Sequence, residues 1–185
     1  AAQVSELLTL GVIDAGQLRL ELQEIPTEGF LVMAAEAFKP IAGERRIEFR
    51  TSLKGLPASF RGDQDRLNQV LMNLLDNAFK YTPSGGNVVL SGRTREGALE
   101  IEVSDDCPGI PEDQLGIIFE KYARVRSGAA QGQKGTGLGL AVAKGIVAAH
   151  GGTIAAASEP GRGCRFTVRL PLRPAAAPAR AEEVA

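Results

Sequence analysis

Residues 63–81 constrain the fold more than any other segment, because they predict one long amphipathic helix. The apolar residues of this segment recur at helical spacing and therefore form a single stripe. Asp63 is suited to cap the start of the helix, and Pro83 follows its end. The stripe consists of Leu67, Val70, Leu71, Leu74, Leu75 and Ala78. A helix with such a stripe must bury it against a second layer of structure.

The segments around this helix alternate between strand-like and helix-like patterns. The predicted strands are 18–24, 47–53, 87–94, 98–104, 153–158 and 163–170, and the other predicted helices are about 28–42, 111–118 and 137–149. The short link 95–97 predicts a hairpin, residues 121–135 a mobile loop, and residues 171–185 a disordered Pro/Ala-rich tail. This order predicts a two-layer α/β sandwich whose sheet is mainly antiparallel, with helices on one face.

The composition excludes several classes of function. The chain has 185 residues, 22 acidic and 21 basic, so it lacks the basic surface of a general nucleic-acid binder. No apolar run approaches the roughly 18–20 residues of a membrane span, and we expect no direct membrane contact. Cys107 and Cys164 are too few for a disulfide framework, and the lone His150 excludes a His-rich zinc site.

Three polar residues share one face of the predicted helix 63–81. Asn73, Asn77 and Lys80 fall within about 60° of one another on a helical wheel. Asparagine inside a helix costs about 0.5–0.7 kcal/mol relative to alanine, so two on one face suggest a function. Amide oxygens suit Mg²⁺ that phosphates also hold, and a lysine can contact a phosphate oxygen. The spacing alone fits a solvated helix face equally well.

A second candidate segment, 105–110, follows the predicted strand 98–104. The carboxylate of Asp105 could accept a hydrogen bond from an exocyclic amine, the contact that selects adenine. Gly109 would let the backbone approach a ring closely. An ordinary Asp-Asp-x-Pro-Gly turn explains the same residues.

Alternate glycines at 135, 137 and 139 lie around the start of the helix predicted at about 137–149. Such glycines free backbone N–H groups for phosphate oxygens at a helix start. The segment matches neither a Walker loop nor a dinucleotide-binding fingerprint. Just upstream, a run without acidic residues contains Lys121, Arg124, Arg126 and Lys134. This run could be a lid over a polyphosphate or a solvated basic loop.

Together these segments resemble the catalytic ATP-binding domain of sensor histidine kinases, in the superfamily of Hsp90, DNA gyrase B and MutL. The matching boxes are 68–83 (N box), 105–110 (first glycine box), 118–122 (F box) and 135–141 (second glycine box). His150-Gly151-Gly152 and the segment 161–166 also resemble the closing pattern of the family. The resemblance extends over about 18–171, with the four boxes in the family's order.

The resemblance implies the Bergerat fold with a flexible ATP lid, and binding of Mg·ATP. It implies that Asn77 and Asn73 hold Mg²⁺, and that Asn77, Lys80 and Arg124 act in catalysis. Asp105 would accept from the adenine amine, and Tyr81 would lie against the nucleotide. The other nucleotide-binding positions that it implies are Gly109, Ile110, Phe119, Lys121, Gly135, Thr136, Gly137, Leu138, Gly139 and Leu140.

The resemblance also implies phosphotransfer to a histidine on a dimerisation domain of the same kinase. It implies a downstream response regulator as a second partner. The parent kinase would be a homodimer with this domain in the cytoplasm. His150 does not match the phosphoacceptor motif, and residues 1–16, interpreted as the end of the dimerisation helix and a linker, contain no histidine. We therefore expect the acceptor outside this sequence, the catalytic domain at 18–171 and a tail at 172–185.

One departure from the family concerns Asp106 and Cys107, which stand where the family usually has Asn-Gly. The loss of that glycine predicts altered backbone geometry, and Asp106 adds negative charge near the nucleotide. Two alternatives therefore remain open. One is a degenerate docking module of the pseudokinase type, and the other is a serine kinase or ATPase of another branch of the superfamily.

Overall fold

The computed structural model describes residues 2–123 and 135–173, with side chains from Glu6 onward. Three of the four basic residues of the predicted lid, Arg124, Arg126 and Lys134, lie outside the described residues. So does most of the predicted tail, from residue 174 onward.

Helices and strands alternate along the described part of the chain. The helices are α1 (Ala2–Asp14), α2 (Thr27–Arg45), α3 (Gln64–Tyr81), α4 (Glu112–Leu115) and α5 (Gly139–Ala149). The strands are β1 (Gln23–Pro26), β2 (Glu48–Leu53), β3 (Ser59–Gly62), β4 (Asn87–Arg95), β5 (Ala98–Asp105), β6 (Thr153–Ser158) and β7 (Cys164–Pro171). In the described helices, no segment is both long enough and apolar enough to cross a membrane.

Strands β2 and β4–β7 form a five-stranded sheet in the order β2-β4-β5-β7-β6. The β2–β4 pair is parallel, and the other three pairs are antiparallel. Helices α2, α3 and α5 contact β2, β5 and β6 of this sheet. The residues of β5 that alternate into the helix layer are the buried Leu99, Ile101 and Val103. The predicted two-layer sandwich with a mainly antiparallel sheet is confirmed.

Helix α3 fills the centre of the helix layer. Every member of its predicted apolar stripe is buried, as is Phe79 near its end. The Phe79 ring stacks on Phe38 of α2 with ring centroids 5.2 Å apart and meets Phe49 of β2 edge-on at the same distance. Asp63 caps the helix as expected, because its carboxylate accepts from the backbone N–H of Arg66 at 3.0 Å.

On the other face of the sheet, β5 carries a buried carboxylate. The Glu100 side chain is only 5% exposed, and the guanidinium of Arg93 contacts it at 2.5 Å. Arg95 and Arg169 approach the same carboxylate at 3.9 Å and 3.7 Å. Three cations from neighbouring strands therefore compensate for the lost hydration of Glu100.

The predicted strand 18–24 is wrong, because pairing occurs only at Gln23–Pro26 of β1. Its antiparallel partner β3, which the sequence pattern did not predict, ends at Gly62, where the cap of α3 begins. Residues 18–22 therefore have no strand beside them. The backbone N–H of Glu21 instead donates to the Asp63 carboxylate at 2.9 Å.

His150 holds the end of α5 against the start of α3. It is 1% exposed, and its Nε2 accepts from the backbone N–H of Asp63 at 3.0 Å. Since that N–H can only donate, Nδ1 carries the ring proton and donates to the carbonyl of Ile146 at 2.8 Å. Burial lowers the pKa of His150 below its usual 6.5, although the Ile146 bond and the charge of Asp63 oppose this effect.

We predict that protonation of His150 destabilises the fold. Because its pKa is lower in the folded than in the unfolded chain, its contribution to stability is complete above pH 6.5 and is lost as the pH falls toward the folded value. The free energy of unfolding in urea should therefore decrease between about pH 8 and pH 5.5. The variant His150→Gln, which removes the only histidine, should be less stable at pH 8. Its free energy of unfolding should also decrease less over this pH range. An equal decrease in both proteins would contradict this role.

Candidate functional site

Three segments meet at one end of the helix layer: the polar face of α3, the loop after β5, and the glycine-rich segment before α5. Asn73 of α3 donates from Nδ2 to the carbonyl of Gly139 at 2.9 Å. A Cβ built on Gly135 would lie 2.6 Å from Lys80 Nζ, so the lysine reaches the same segment. A Cβ on Gly86 would contact both Thr82, at the end of α3, and Asp106 of the loop. The structure thus places the glycine-rich segment against the polar face of α3, and the loop after β5 near the end of the same helix.

The amide oxygens on α3 fit the donor chemistry of Mg²⁺. The Nδ2 group of Asn73 is used by Gly139, which leaves its Oδ1 as the available ligand atom. Asn77 is half-buried and makes no side-chain hydrogen bond within the described residues. Mg²⁺ takes oxygen ligands and usually keeps waters and substrate phosphates in its coordination shell. Two neutral amide oxygens one turn apart suit an ion whose remaining ligands come from a nucleotide.

Asp105 is the last residue of β5, and its side chain is buried. It is 7% exposed, and its Oδ1 accepts from the backbone N–H of Cys107 at 2.9 Å. Burial raises the pKa of the Asp105 carboxyl above 3.8, and the hydrogen bonds from Cys107 partly oppose that rise. A carboxyl group that is buried but not neutralised by a cation can accept a hydrogen bond from a neutral amine donor.

The loop 105–110 packs against the turn between β6 and β7. Gly109 has φ +86°, and a Cβ there would lie 2.5 Å from the carbonyl oxygen of Glu159. The backbone N–H of Ile110 donates to Ser158 Oγ at 2.8 Å, and that of Gly161 donates to the carbonyl of Pro108 at 2.8 Å. Position 109 therefore requires glycine for both its left-handed backbone and its close contact.

The departure at Asp106 and Cys107 does not place either residue at positive φ. Cys107 is not among the non-glycine residues with positive φ, which are Arg46, Glu96 and Tyr122 in the described part of the chain. Asp106 is exposed, and its carboxylate accepts from the backbone and side chain of Asn87 at 2.9 Å and 2.7 Å. Its predicted negative charge does reach the site, since it contributes to the raised pKa of Asp105.

The glycine-rich segment leads into an uncapped helix. Leu138 is the N-cap residue of α5 and makes no side-chain capping bond, so the first backbone N–H groups of α5 have no capping side chain within residues 6–123 and 135–173. Gly137, with φ +70°, lies against the backbone of Tyr122 and Ala123. Thr136 Oγ1 donates to Glu6 of α1 at 2.8 Å. Leu138 is buried and Leu140 half-buried, so these two side chains belong to the core and only their backbone can face a ligand.

The other side chains predicted to bind the nucleotide lie in surroundings that differ from one residue to the next. Tyr81 is 37% exposed, and Lys80 Nζ lies 5.1 Å from the centre of its ring. Phe119 is half-buried and meets Phe166 edge-on with ring centroids 6.4 Å apart. Lys121 forms an ion pair with Asp14 of α1. The predicted lid residue Arg124 lies outside the described residues.

Sequence reasoning missed the residues that support this site. Ser158 accepts from Ile110 and donates to the carbonyl of Gly163 at 2.7 Å, and Asn87 fixes Asp106. Glu6 reaches Thr136 from α1. None of these three residues belongs to a recognised motif. In the sequence, each is only a polar side chain at a strand end or on a helix. Such side chains are too common to indicate which ones hold the site residues in place.

Comparison with known proteins supports the predicted resemblance. The family model described as "Histidine kinase-, DNA gyrase B-, and HSP90-like ATPase" matches residues 62–174. The signal transduction histidine-protein kinase BaeS of Escherichia coli (strain K12) is 36% identical over 169 residues, which cover 91% of this chain and 36% of BaeS.

Solved structures agree with the sequence relatives. Full-length ShkA in complex with AMPPNP has a TM-score of 0.82 and 33% identity, over 97% of this chain and 37% of ShkA. The nucleotide-free catalytic domain of the histidine kinase ThkA has a TM-score of 0.73 at 24% identity, over 83% of this chain and 99% of that domain, and shows the same fold. The chain thus spans little more than a third of BaeS and of ShkA.

We predict that Gly109→Ala strongly destabilises the protein, whereas Gly161→Ala is milder. Both glycines have positive φ, but a Cβ on Gly161 would meet nothing within 4 Å. The Gly161 variant should lose about 1–2 kcal/mol through backbone strain alone. The collision with Glu159 should cost the Gly109 variant about 1–3 kcal/mol more. Urea unfolding measures both values, and equal losses would show that the close contact is unimportant.

Proposed function

Because the chain belongs to the histidine kinase-, DNA gyrase B- and HSP90-like ATPase family, we propose that it binds Mg·ATP and donates the γ-phosphate to a protein histidine. The family match supports the nucleotide, and the similarity to BaeS and ShkA supports the histidine kinase branch. The structure complexed with AMPPNP is that of ShkA, so the nucleotide in this chain is part of the proposal.

One observation carries the proposal: the polar face of α3 meets the uncapped start of α5 through the Asn73–Gly139 hydrogen bond. The free N–H groups and the dipole of a helix start favour a phosphate there. Lys80 Nζ lies beside Gly135 and supplies a positive charge for the same polyphosphate. An anion placed between these elements would therefore meet backbone donors, amide oxygens and an ammonium group.

The adenine base would lie at the other end of the site. Asp105 would accept from its exocyclic amine, and Gly109 would let the backbone lie close to the ring. Tyr81, more than a third exposed, would cover the nucleotide from the end of α3. Asn77 and Asn73 would hold Mg²⁺, which supplies charge neutralisation for the phosphates when it is bound.

The phosphoacceptor must be a different histidine from His150. Both ring nitrogens of His150 are engaged by backbone groups, and the ring is 1% exposed, so it cannot attack a phosphate. The proposed acceptor lies on the dimerisation domain of a homodimeric parent kinase, from which a response regulator would receive the phosphate. Alone, this chain would bind nucleotide without autophosphorylation. The proposed location is the cytoplasm, where ATP is available.

In this mechanism the chain mainly positions the nucleotide. Phosphoryl transfer needs the attacking and leaving atoms in line and the developing charge stabilised, with little covalent chemistry from the protein. Asp105 fixes the base, the N–H groups of α5 fix the phosphates, and Lys80 neutralises charge. Arg124 remains a proposed lid residue.

We predict that Asn77→Ala removes the Mg²⁺-dependent part of nucleotide binding. Calorimetric titration of ATP, with Mg²⁺ and again with a chelator, should show Mg²⁺-dependent affinity in the unmodified protein. That affinity should fall on the order of 10–100-fold in the variant, because a metal ligand is lost. Asn68→Ala, on the exposed face of the same helix, is the matched control and should bind normally. No ATP binding by the unmodified protein would favour the docking-module alternative.

We also predict that Asp105→Asn reduces the preference for ATP over GTP by on the order of tenfold. A carboxylate accepts only, whereas an amide also donates and can pair with the guanine carbonyl. Competition binding of the two nucleotides measures the ratio. The neighbouring Asp106→Asn, whose carboxylate faces Asn87, should keep the original preference. An unchanged ratio in Asp105→Asn would remove this residue from base recognition.

A further inference from the structure

The two cysteines of the chain meet beside Asp105. Cys107 follows the end of β5 and Cys164 starts β7, 57 residues apart in sequence, yet their sulfur atoms are 2.7 Å apart. Both are free thiols, and both are buried, at 7% and 6% exposure. This contact is too long for a disulfide bond of about 2.05 Å, but only about 0.7 Å of movement separates the two states.

The backbone around the two thiols is fixed on both sides. Cys164 stands opposite Asp105 in the antiparallel β5–β7 register, and Asp105 accepts from the N–H of Cys107. A Cβ on Gly163 would collide with the carbonyl of Asp105, so the two strands lie close here. Since the scaffold already holds the sulfurs in contact, joining them needs no rearrangement of the fold.

We propose that Cys107 and Cys164 form a reversible disulfide by exchange with a low-molecular-weight disulfide. In the first step the Cys164 thiolate attacks the small disulfide, which forms a mixed disulfide and releases one small thiolate. Cys107 then attacks Cys164 Sγ, loses its proton and releases the second small thiolate. Two protein thiols and one small disulfide thus become one protein disulfide and two small thiols, so hydrogens and electrons balance.

Two observations select Cys164 as the attacking thiol. It lines an open cleft of about 390 Å³ between the ends of β4–β7, beside Ser158 and Arg165, whereas Cys107 does not line this cleft. The hydrogen bond from the Cys107 thiol also lowers the pKa of Cys164, and the same contact, together with burial, raises the pKa of Cys107. The cysteine that lines the cleft therefore also has the better nucleophile.

A metal site is the competing use of these groups, since Asp105, Cys107 and Cys164 have ligand atoms within 4.8 Å of one another. Tetrahedral zinc with Zn–S bonds of about 2.3 Å would hold its two sulfurs about 3.8 Å apart. The observed 2.7 Å is far from that separation and closer to a disulfide. Within the described residues the cluster also offers three ligands, one fewer than a closed structural zinc site.

The test is to incubate the folded protein with oxidised glutathione and to count thiols by alkylation and intact mass. The expected product has lost two hydrogens, carries no glutathione and has no alkylatable thiol after denaturation. Reduction should restore both thiols. The melting temperature of the oxidised protein should rise on the order of 10 °C, because the bond closes a long loop. Two thiols that persist after this treatment, in metal-free buffer, would overturn the proposal.

Single variants test the order of the two steps. Cys107→Ser should accumulate a stable mixed disulfide with glutathione at Cys164, because the second thiol is absent. Cys164→Ser should react at least about tenfold more slowly, since burial and the neighbouring Asp105 raise the pKa of the remaining thiol, which does not line the cleft. Equal reactivity of the variants would contradict Cys164 as the attacking thiol. The thiol count of the unmodified protein tests the disulfide without either variant and without any nucleotide.

Discussion

The fold and the site both depend on the burial of one face of α3. Its apolar stripe must leave water, and α3 packs against β5 of the five-stranded sheet and against the neighbouring helices α2 and α5. Once that face is fixed, the rotation of the helix is fixed too. The polar side chains of Asn73 and Lys80 then reach the glycine-rich segment at the start of α5. The hydrophobic effect thus orients the polar residues, although it acts on the other side of the helix.

Three buried polar side chains show different solutions to the cost of desolvation. Glu100 is surrounded by arginine side chains, and His150 satisfies both ring nitrogens with backbone groups. Among the described residues, Asp105 has no cationic partner, and burial raises its pKa. The first two arrangements are complete within the protein and are structural. The Asp105 carboxylate instead keeps a free hydrogen-bond acceptor at the proposed base-binding end of the site. Recognition of a ligand requires such a free acceptor.

The sequence predicted the elements whose signals are local. The stripe of α3, its cap at Asp63 and the β4–β5 hairpin are determined by neighbours in sequence, and all three are confirmed. The short strand β1 could not be placed correctly, because its limits depend on where its distant partner β3 turns into α3.

For the candidate site too, the features with local sequence signals were predictable and those that depend on long-range contacts were not. The motifs placed its three segments, and the structure brings them together, while the roles of the individual residues stay predictions. The supports Ser158 and Asn87 could not be predicted, because their partners come from strand register rather than sequence spacing. The effect of losing glycine at Cys107 could not be judged from the sequence, because it depends on the backbone angle, and φ is not positive there. Likewise, the contact between the two cysteines depends on the β5–β7 register and on the turn that Asp105 holds through Cys107, neither of which sequence spacing reveals.

The strand order has a consequence for the order of folding. The β4–β5 hairpin pairs neighbouring residues, so its loop-closure entropy is small, whereas the β5–β7 pair encloses α4, α5 and β6. Long-range pairs of this kind are expected to form late. The loop that begins at Asp105 is held in place by β7 and the turn before it. A chain still emerging from the ribosome could therefore contain all of α3 and yet have no organised pocket for a base until β7 is added.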